Sequence, residues 1–132
     1  MHDYADAAER HFLSANAVLT AHPATASHCY GIAAECVLKA LMSNLRPQVD
    51  RVSGKHIGTN LWVEFANHQT LQTHPSRIAG AIKYQSGFNG WDIGQRYLSR
   101  MSAEFAEAKV SAQSQSARGL LGLLQLVQRG LA

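Results

Sequence analysis

The sequence is short of the features that mark several common protein classes. Its twelve lysines and arginines are spread over 132 residues without a basic run, although the formal net charge is +3. Such scattered charge permits nucleic-acid binding but does not indicate it. The most apolar stretch, at 119–127, is far shorter than the ~20 residues that span a bilayer. The N-terminus also lacks the basic and apolar regions of a secretory signal. We therefore expect no membrane association.

Cysteine is scarce, and metal-binding motifs are missing. Cys29 and Cys36 are the only cysteines, and on one helix their Cα atoms would lie about 10 Å apart, beyond disulfide reach. We expect reduced thiols in a cytoplasmic protein. The seven histidines form no metal-binding spacing, because Glu64 and His68 have no second pair to face. No phosphate-binding glycine motif or nucleophile elbow is present, so we expect no metal and no cofactor.

Apolar residues at helical spacing dominate what is present. The first predicted helix runs from Asp3, as its N-cap, to about Ala21. A second follows the His22-Pro23 break and ends near Leu45. Within it only Glu35 and Lys39 carry a formal charge, and a helix that is apolar nearly all round is buried.

Three further helices are predicted after a loop at 46–58. The first has an apolar face of Ile57, Leu61, Trp62 and Phe65. A short helix can start at Pro75, and the last begins near Ser99 or Ser102. There is no internal repeat and no strand-like alternation. The chain is thus predicted to form one domain over residues 1–132, an all-α, up-and-down bundle of about four to five helices.

A glycine-rich segment interrupts this pattern at 87–97, GFNGWDIGQRY. Its three glycines disfavour a helix, so we expect a structured plug in which the Trp91 ring packs onto the bundle. We predict that the plug carries Arg96 to Glu35 or, failing that, to Asp92 in a forked ion pair. The alternative is that Glu35 serves only Lys39. The predicted polar cluster comprises Glu35, Lys39, His56, Trp91, Arg96 and Tyr97.

Three motifs in order carry a resemblance to a known family. They are SHCYGIAAECVLKALM, GKHIGTNLWVEF and FNGWDIGQRY, and together they resemble the HEPN superfamily. The strongest is the Tyr-x3-Ala-Ala-Glu-x2-Leu-Lys pattern, from Tyr30 to Lys39. The resemblance implies a HEPN-like helical bundle of prokaryotic toxin–antitoxin or defence systems. It also implies a homodimer, with a small nucleotidyltransferase or RNA as further partners.

Catalytic members of that superfamily are metal-independent RNases, and they resemble one another in having an Arg, then a polar residue, then a His, with four to six residues between the Arg and the His. Arg96 has no such His after it. Arg51 and His56 have the spacing, but they lie in a loop where the motif is not expected. We therefore predict a domain that acts by association. The alternatives are an RNase toxin using Arg51 and His56, or Arg96 with a distant His, and a purely structural helical adaptor.

Overall fold

A computed structural model describes residues 1–132 and contains no β-strand. Its five α-helices are α1 (Tyr4–Val18), α2 (Pro23–Met42), α3 (Leu61–Asn67), α4 (Pro75–Ile82) and α5 (Glu107–Gln128). Four short 3-10 helices lie at Gln69–Leu71, Gln85–Phe88, Ile93–Tyr97 and Ala103–Phe105. The predicted all-α bundle is confirmed. No α-helix of the protein combines the length and the apolar composition that a membrane span requires.

Helix α2 is the centre of the bundle. Fourteen of its 20 residues are buried, as the scarcity of charge between residues 24 and 45 predicts. Helix α1 packs along one side of it through Tyr4, Ala8, Phe12 and Ala15. Helix α5 covers another side with Val110 and its leucines, and α3 adds Trp62 and Phe65. These side chains belong to one continuous apolar core.

The ends of α1 and α2 differ from the predicted ones. Asp3 caps α1 as expected, because its Oδ1 accepts a hydrogen bond from the Asp6 N–H at 3.1 Å. However, α1 ends at Val18 rather than Ala21. Helix α2 ends at Met42 because Asn44 and Leu45 have φ angles of 53° and 64°, which lie outside helical geometry.

The starts of α3 and α5 lie later than predicted. Ile57 is buried, but it belongs to the loop before α3, which begins at Leu61. Helix α5 begins at Glu107, not near Ser99 or Ser102. Ser102 instead caps the 3-10 helix Ala103–Phe105, since its side chain accepts from the Glu104 N–H. Residues 98–106 therefore form a folded connection rather than a first helical turn.

Candidate functional site

A buried acid lies in the middle of α2, as the sequence predicts. Glu35 is only 5 % exposed. Its Oε2 accepts a hydrogen bond from the Lys39 ammonium at 3.3 Å, and its Oε1 accepts one from His56 Nδ1 at 2.7 Å. A desolvated carboxylate requires such donors. Three of the six predicted cluster residues, Glu35, Lys39 and His56, are therefore brought together.

His56 reaches Glu35 because the loop before α3 is itself folded. The Ser53 hydroxyl donates to the Glu64 carboxylate at 2.8 Å and accepts from the Lys55 N–H at 3.0 Å. Ile57, the residue after His56, is buried in the core and so fixes this part of the loop. Because His56 Nδ1 is hydrogen-bonded to Glu35, Nε2 is the ring nitrogen that remains for another partner. The His56 side chain is about one-third exposed.

The Trp91 ring is buried on the bundle, which confirms the predicted anchor of the segment at 87–97. Trp91 is 2 % exposed, and its Nε1–H donates to the Ser27 carbonyl at 2.9 Å. The ring lies directly against Gly31 of α2, where an added Cβ would fall 1.9 Å from Trp91 Cε2. Gly90 permits the approach because its φ is +80°.

The predicted pairing of Arg96 with Glu35 or Asp92 is wrong. Arg96 is exposed, and its guanidinium lies 4.8 Å from the centroid of the Tyr97 ring. Asp92 uses its carboxylate to cap the following 3-10 helix, accepting from the Gly94 N–H at 2.8 Å. Tyr97 is also exposed, so neither Arg96 nor Tyr97 joins the cluster around Glu35.

The physical reason is that Gln95, not Arg96, points into the bundle. Gln95 is buried, and its Nε2 donates to the Ser27 hydroxyl at 2.7 Å. That hydroxyl in turn donates to Gln113 Oε1 of α5 at 2.6 Å. This chain of hydrogen bonds joins α2, α5 and the 3-10 helix Ile93–Tyr97, and it leaves the neighbouring Arg96 on the outside.

Sequence reasoning missed this polar chain. Gln113 lies in the stretch SAQSQSA, whose polar composition suggests an exposed surface, yet the residue is buried. Buried polar side chains that form hydrogen bonds only with one another leave no periodic pattern in the sequence. Gly31, a glycine inside a strong helical pattern, signals the close approach of the Trp91 ring to α2, but nothing in the sequence signals the polar chain.

His28 links the plug to the surface of α2. Its ring stacks on Trp91 with a centroid distance of 6.4 Å and an interplanar angle of 20°. Its Nδ1 is buried and has no hydrogen-bond partner. Burial, and then the charges of Arg96 and His11, lower the pKa of His28, against a smaller opposing effect of Glu35. Burial and the Arg10 charge likewise lower the pKa of His11.

These two histidines should make the protein acid-sensitive. Their pKa values in the folded protein lie below the ordinary 6.5, so their contribution is complete above that pH and is lost as the pH falls through the folded values. We expect urea unfolding to give a lower free energy near pH 5.5 than near pH 7.5. His28→Gln, which cannot become charged, should show a smaller loss. An equal loss in this variant would contradict the assignment to His28.

Neither Arg51 nor either cysteine forms a hydrogen bond or ion pair with the Glu35 carboxylate, whose partners are Lys39 and His56. Arg51 is exposed on the loop before α3. Both cysteines are free thiols, as predicted, and burial raises the pKa of Cys36 to about 12. The structure contains no group of three or more His, Cys, Asp or Glu side chains that could hold a metal ion.

Comparison of the chain with protein-family models, with curated proteins and with solved structures gives no match. The resemblance to the HEPN superfamily therefore rests on the three motifs and on the residues named in them. Of those residues, Tyr30, Ala34 and Leu38 are fully buried. They accordingly contribute to the core, whereas Glu35 and Lys39 contribute the buried pair.

Proposed function

We propose that this chain is a HEPN-like domain that acts by association rather than by catalysis. The observation that carries the proposal is an exposed segment at residues 96–101, called the 96–101 loop below, which begins with the last two residues of the 3-10 helix Ile93–Tyr97 and in which six consecutive residues are exposed. Tyr97 is 79 % and Met101 84 % exposed. Exposed apolar side chains that occur together mark interaction sites, whereas isolated ones are ordinary.

The 96–101 loop is held at both ends. Gln95 before it and Phe105 shortly after it are buried, and Trp91 fixes the segment to α2. A surface that is already ordered loses little conformational entropy when a partner binds. In this proposal the glycine-rich plug holds the 96–101 loop in place for a partner to bind.

The family resemblance supplies the expected partners. They are a second copy of the chain, a small nucleotidyltransferase and RNA, in a toxin–antitoxin or defence setting. Self-association is favoured by Cys29 and Ile32, two apolar residues of α2 that the rest of the chain covers only partly. Burial of such a stripe by a second copy is a common basis of symmetric dimers.

Light scattering tests the homodimer. We expect a dimer at tens of micromolar, roughly the range in which a modest interface is populated. Ile32→Glu should shift the protein to monomer, because a carboxylate would enter the apolar stripe. Val63→Glu, at an exposed position of α3, is the matched control and should remain dimeric. A monomeric wild type would exclude self-association.

One observation favours an RNase as the second candidate function. Arg96 follows five residues after Trp91, on which the His28 ring stacks with a centroid distance of 6.4 Å, and after burial its charge is the next cause that lowers the pKa of His28. A neutral imidazole can accept the proton of a ribose 2′-OH, and a guanidinium can stabilise the charge on the phosphate. His28 is thus the distant histidine that Arg96 would need, although it comes from α2 and not from the chain after Arg96.

RNA cleavage by metal-free protein separates the two functions. We expect no cleavage that is lost on Arg51→Ala or His56→Ala, because Arg51 lies on an exposed loop and His56 is bound to Glu35. Robust cleavage abolished by either substitution would overturn this expectation. Cleavage lost in both His28→Ala and Arg96→Ala, but kept in Arg51→Ala, would instead establish the second candidate.

A further inference from the structure

The 96–101 loop carries positive charge that the rest of the protein leaves unpaired. Arg96 and Arg100 are both exposed, and neither forms an ion pair with a carboxylate. No acidic residue occurs between Asp92 and Glu104. The Glu104 carboxylate already accepts from the Lys109 ammonium at 3.1 Å. The loop therefore has two free guanidinium groups and no acid of its own.

The side chains between these charges are suited to a protein surface. Tyr97, Leu98 and Met101 are the exposed apolar groups, and the only cations are arginines. Tyr, Met and Arg are enriched in protein–protein interfaces, where Lys is depleted. Methionine adapts its shape to a partner, and arginine binds carboxylates through a planar fork.

Two other occupants fit less well. Two copies meeting loop to loop would place four arginines together, which like-charge repulsion disfavours. A single-stranded nucleic acid needs several aromatic faces on which bases can stack. This loop has one aromatic ring, and Arg96 already lies 4.8 Å from its centroid.

We infer that the 96–101 loop binds a protein partner through a segment in which carboxylates flank an apolar side chain. The inference rests on the proposed function by association and names the class of partner. In this arrangement the partner's carboxylates engage Arg96 and Arg100. Its apolar side chain packs against Leu98 and Met101, with the Tyr97 ring beside them. Trp91 and Gln95 hold the loop in the conformation that the partner meets.

Selection from a library of random short peptides displayed on phage tests the inference without a known partner. The immobilised wild-type protein is the only bait, and the binding of each selected peptide to the charge-reversed variant Arg96→Glu/Arg100→Glu is measured afterwards. We expect the selected peptides to be rich in Asp and Glu around an aromatic or aliphatic residue. Their affinity should fall about tenfold or more in the charge-reversed variant and at high salt.

One control variant and one further test variant show whether binding depends on the 96–101 loop. Arg129→Glu reverses an exposed charge at the end of α5 and should leave peptide affinity unchanged. Tyr97→Ser/Met101→Ser keeps the charges and should also weaken binding. Thermal unfolding of each variant, monitored by circular dichroism, shows whether the fold is intact. The fold should remain intact, because all of the substituted positions are exposed.

Three results would overturn the inference. The first is that no peptide is selected, and the second is that the selected peptides lack acidic residues or bind the charge-reversed variant equally well. The third is loop-dependent binding of oligouridylate without binding of acidic peptides, which would identify a nucleic-acid surface. The homodimer is measured separately by light scattering without peptide, so its failure and the failure of this inference are distinguishable.

Discussion

Gly31→Ala should destabilise the protein strongly, although alanine is normally the better helix former. In α2 the added Cβ would lie 1.9 to 2.3 Å from three atoms of the Trp91 ring. That ring is held in place by its hydrogen bond to Ser27 and cannot move aside locally. Overpacking of this kind costs about 1–3 kcal/mol, and complete loss of a buried tryptophan about 3–5 kcal/mol. We expect a loss of roughly 3 kcal/mol.

Gly122→Ala is the matched control in α5. Nothing lies within 4 Å of a Cβ at that position, so the substitution should stabilise the protein by about 0.5–1 kcal/mol through helix propensity alone. Guanidinium unfolding of both variants measures the two effects. Opposite signs are expected. Stabilisation by both substitutions would mean that the Trp91 ring does not pack against Gly31.

Helix content and the buried acid could be predicted because both leave a pattern in the sequence. The apolar spacing of α1 and α2 and the scarcity of charge around Glu35 follow directly from what a buried helix requires. The burial of Trp91 could also be predicted, since a large apolar ring in a glycine-rich segment is expected to pack onto the bundle. These features depend on residues close together in the chain, or on composition.

The orientation of the segment after Trp91 could not be predicted in the same way. Whether Gln95 or Arg96 points inward depends on the twist of the 3-10 helix Ile93–Tyr97 and on partners in α2 and α5. A charge argument favoured Arg96, because a buried carboxylate needs a cation. Lys39 and His56 already meet that need, and an uncharged side chain therefore fills the inward position.

Helix α5 starts later than predicted for a related reason. Ser99 and Ser102 are both good helix N-caps by residue type, and Ser102 does act as a cap, but for the three-residue helix Ala103–Phe105. Ala106 then leaves helical geometry, with a φ of −56° and a ψ of 144°, before α5 begins at Glu107. Local preference identified the capping residue but not the length of the helix that follows it.

Glu35→Gln should cost about 3–5 kcal/mol of unfolding free energy, because it leaves the buried Lys39 ammonium without its anion. Both side chains of this pair are only 7 % exposed. Lys39→Gln should cost a similar amount by leaving the carboxylate with His56 alone. Since each single substitution already breaks the same interaction, the double variant should cost less than the sum of the two, with a coupling of about 0.5–3 kcal/mol.

Two further variants decide which donors matter to Glu35. His56→Gln removes a donor whose ring is about one-third exposed, so it should cost less than Lys39→Gln. Arg96→Ala should cost under about 1 kcal/mol, since its guanidinium is exposed and unpaired. Urea unfolding monitored by circular dichroism provides all five free energies. A large cost for Arg96→Ala, or strictly additive costs for Glu35→Gln and Lys39→Gln, would show that Glu35 is not held by Lys39 and His56 in solution.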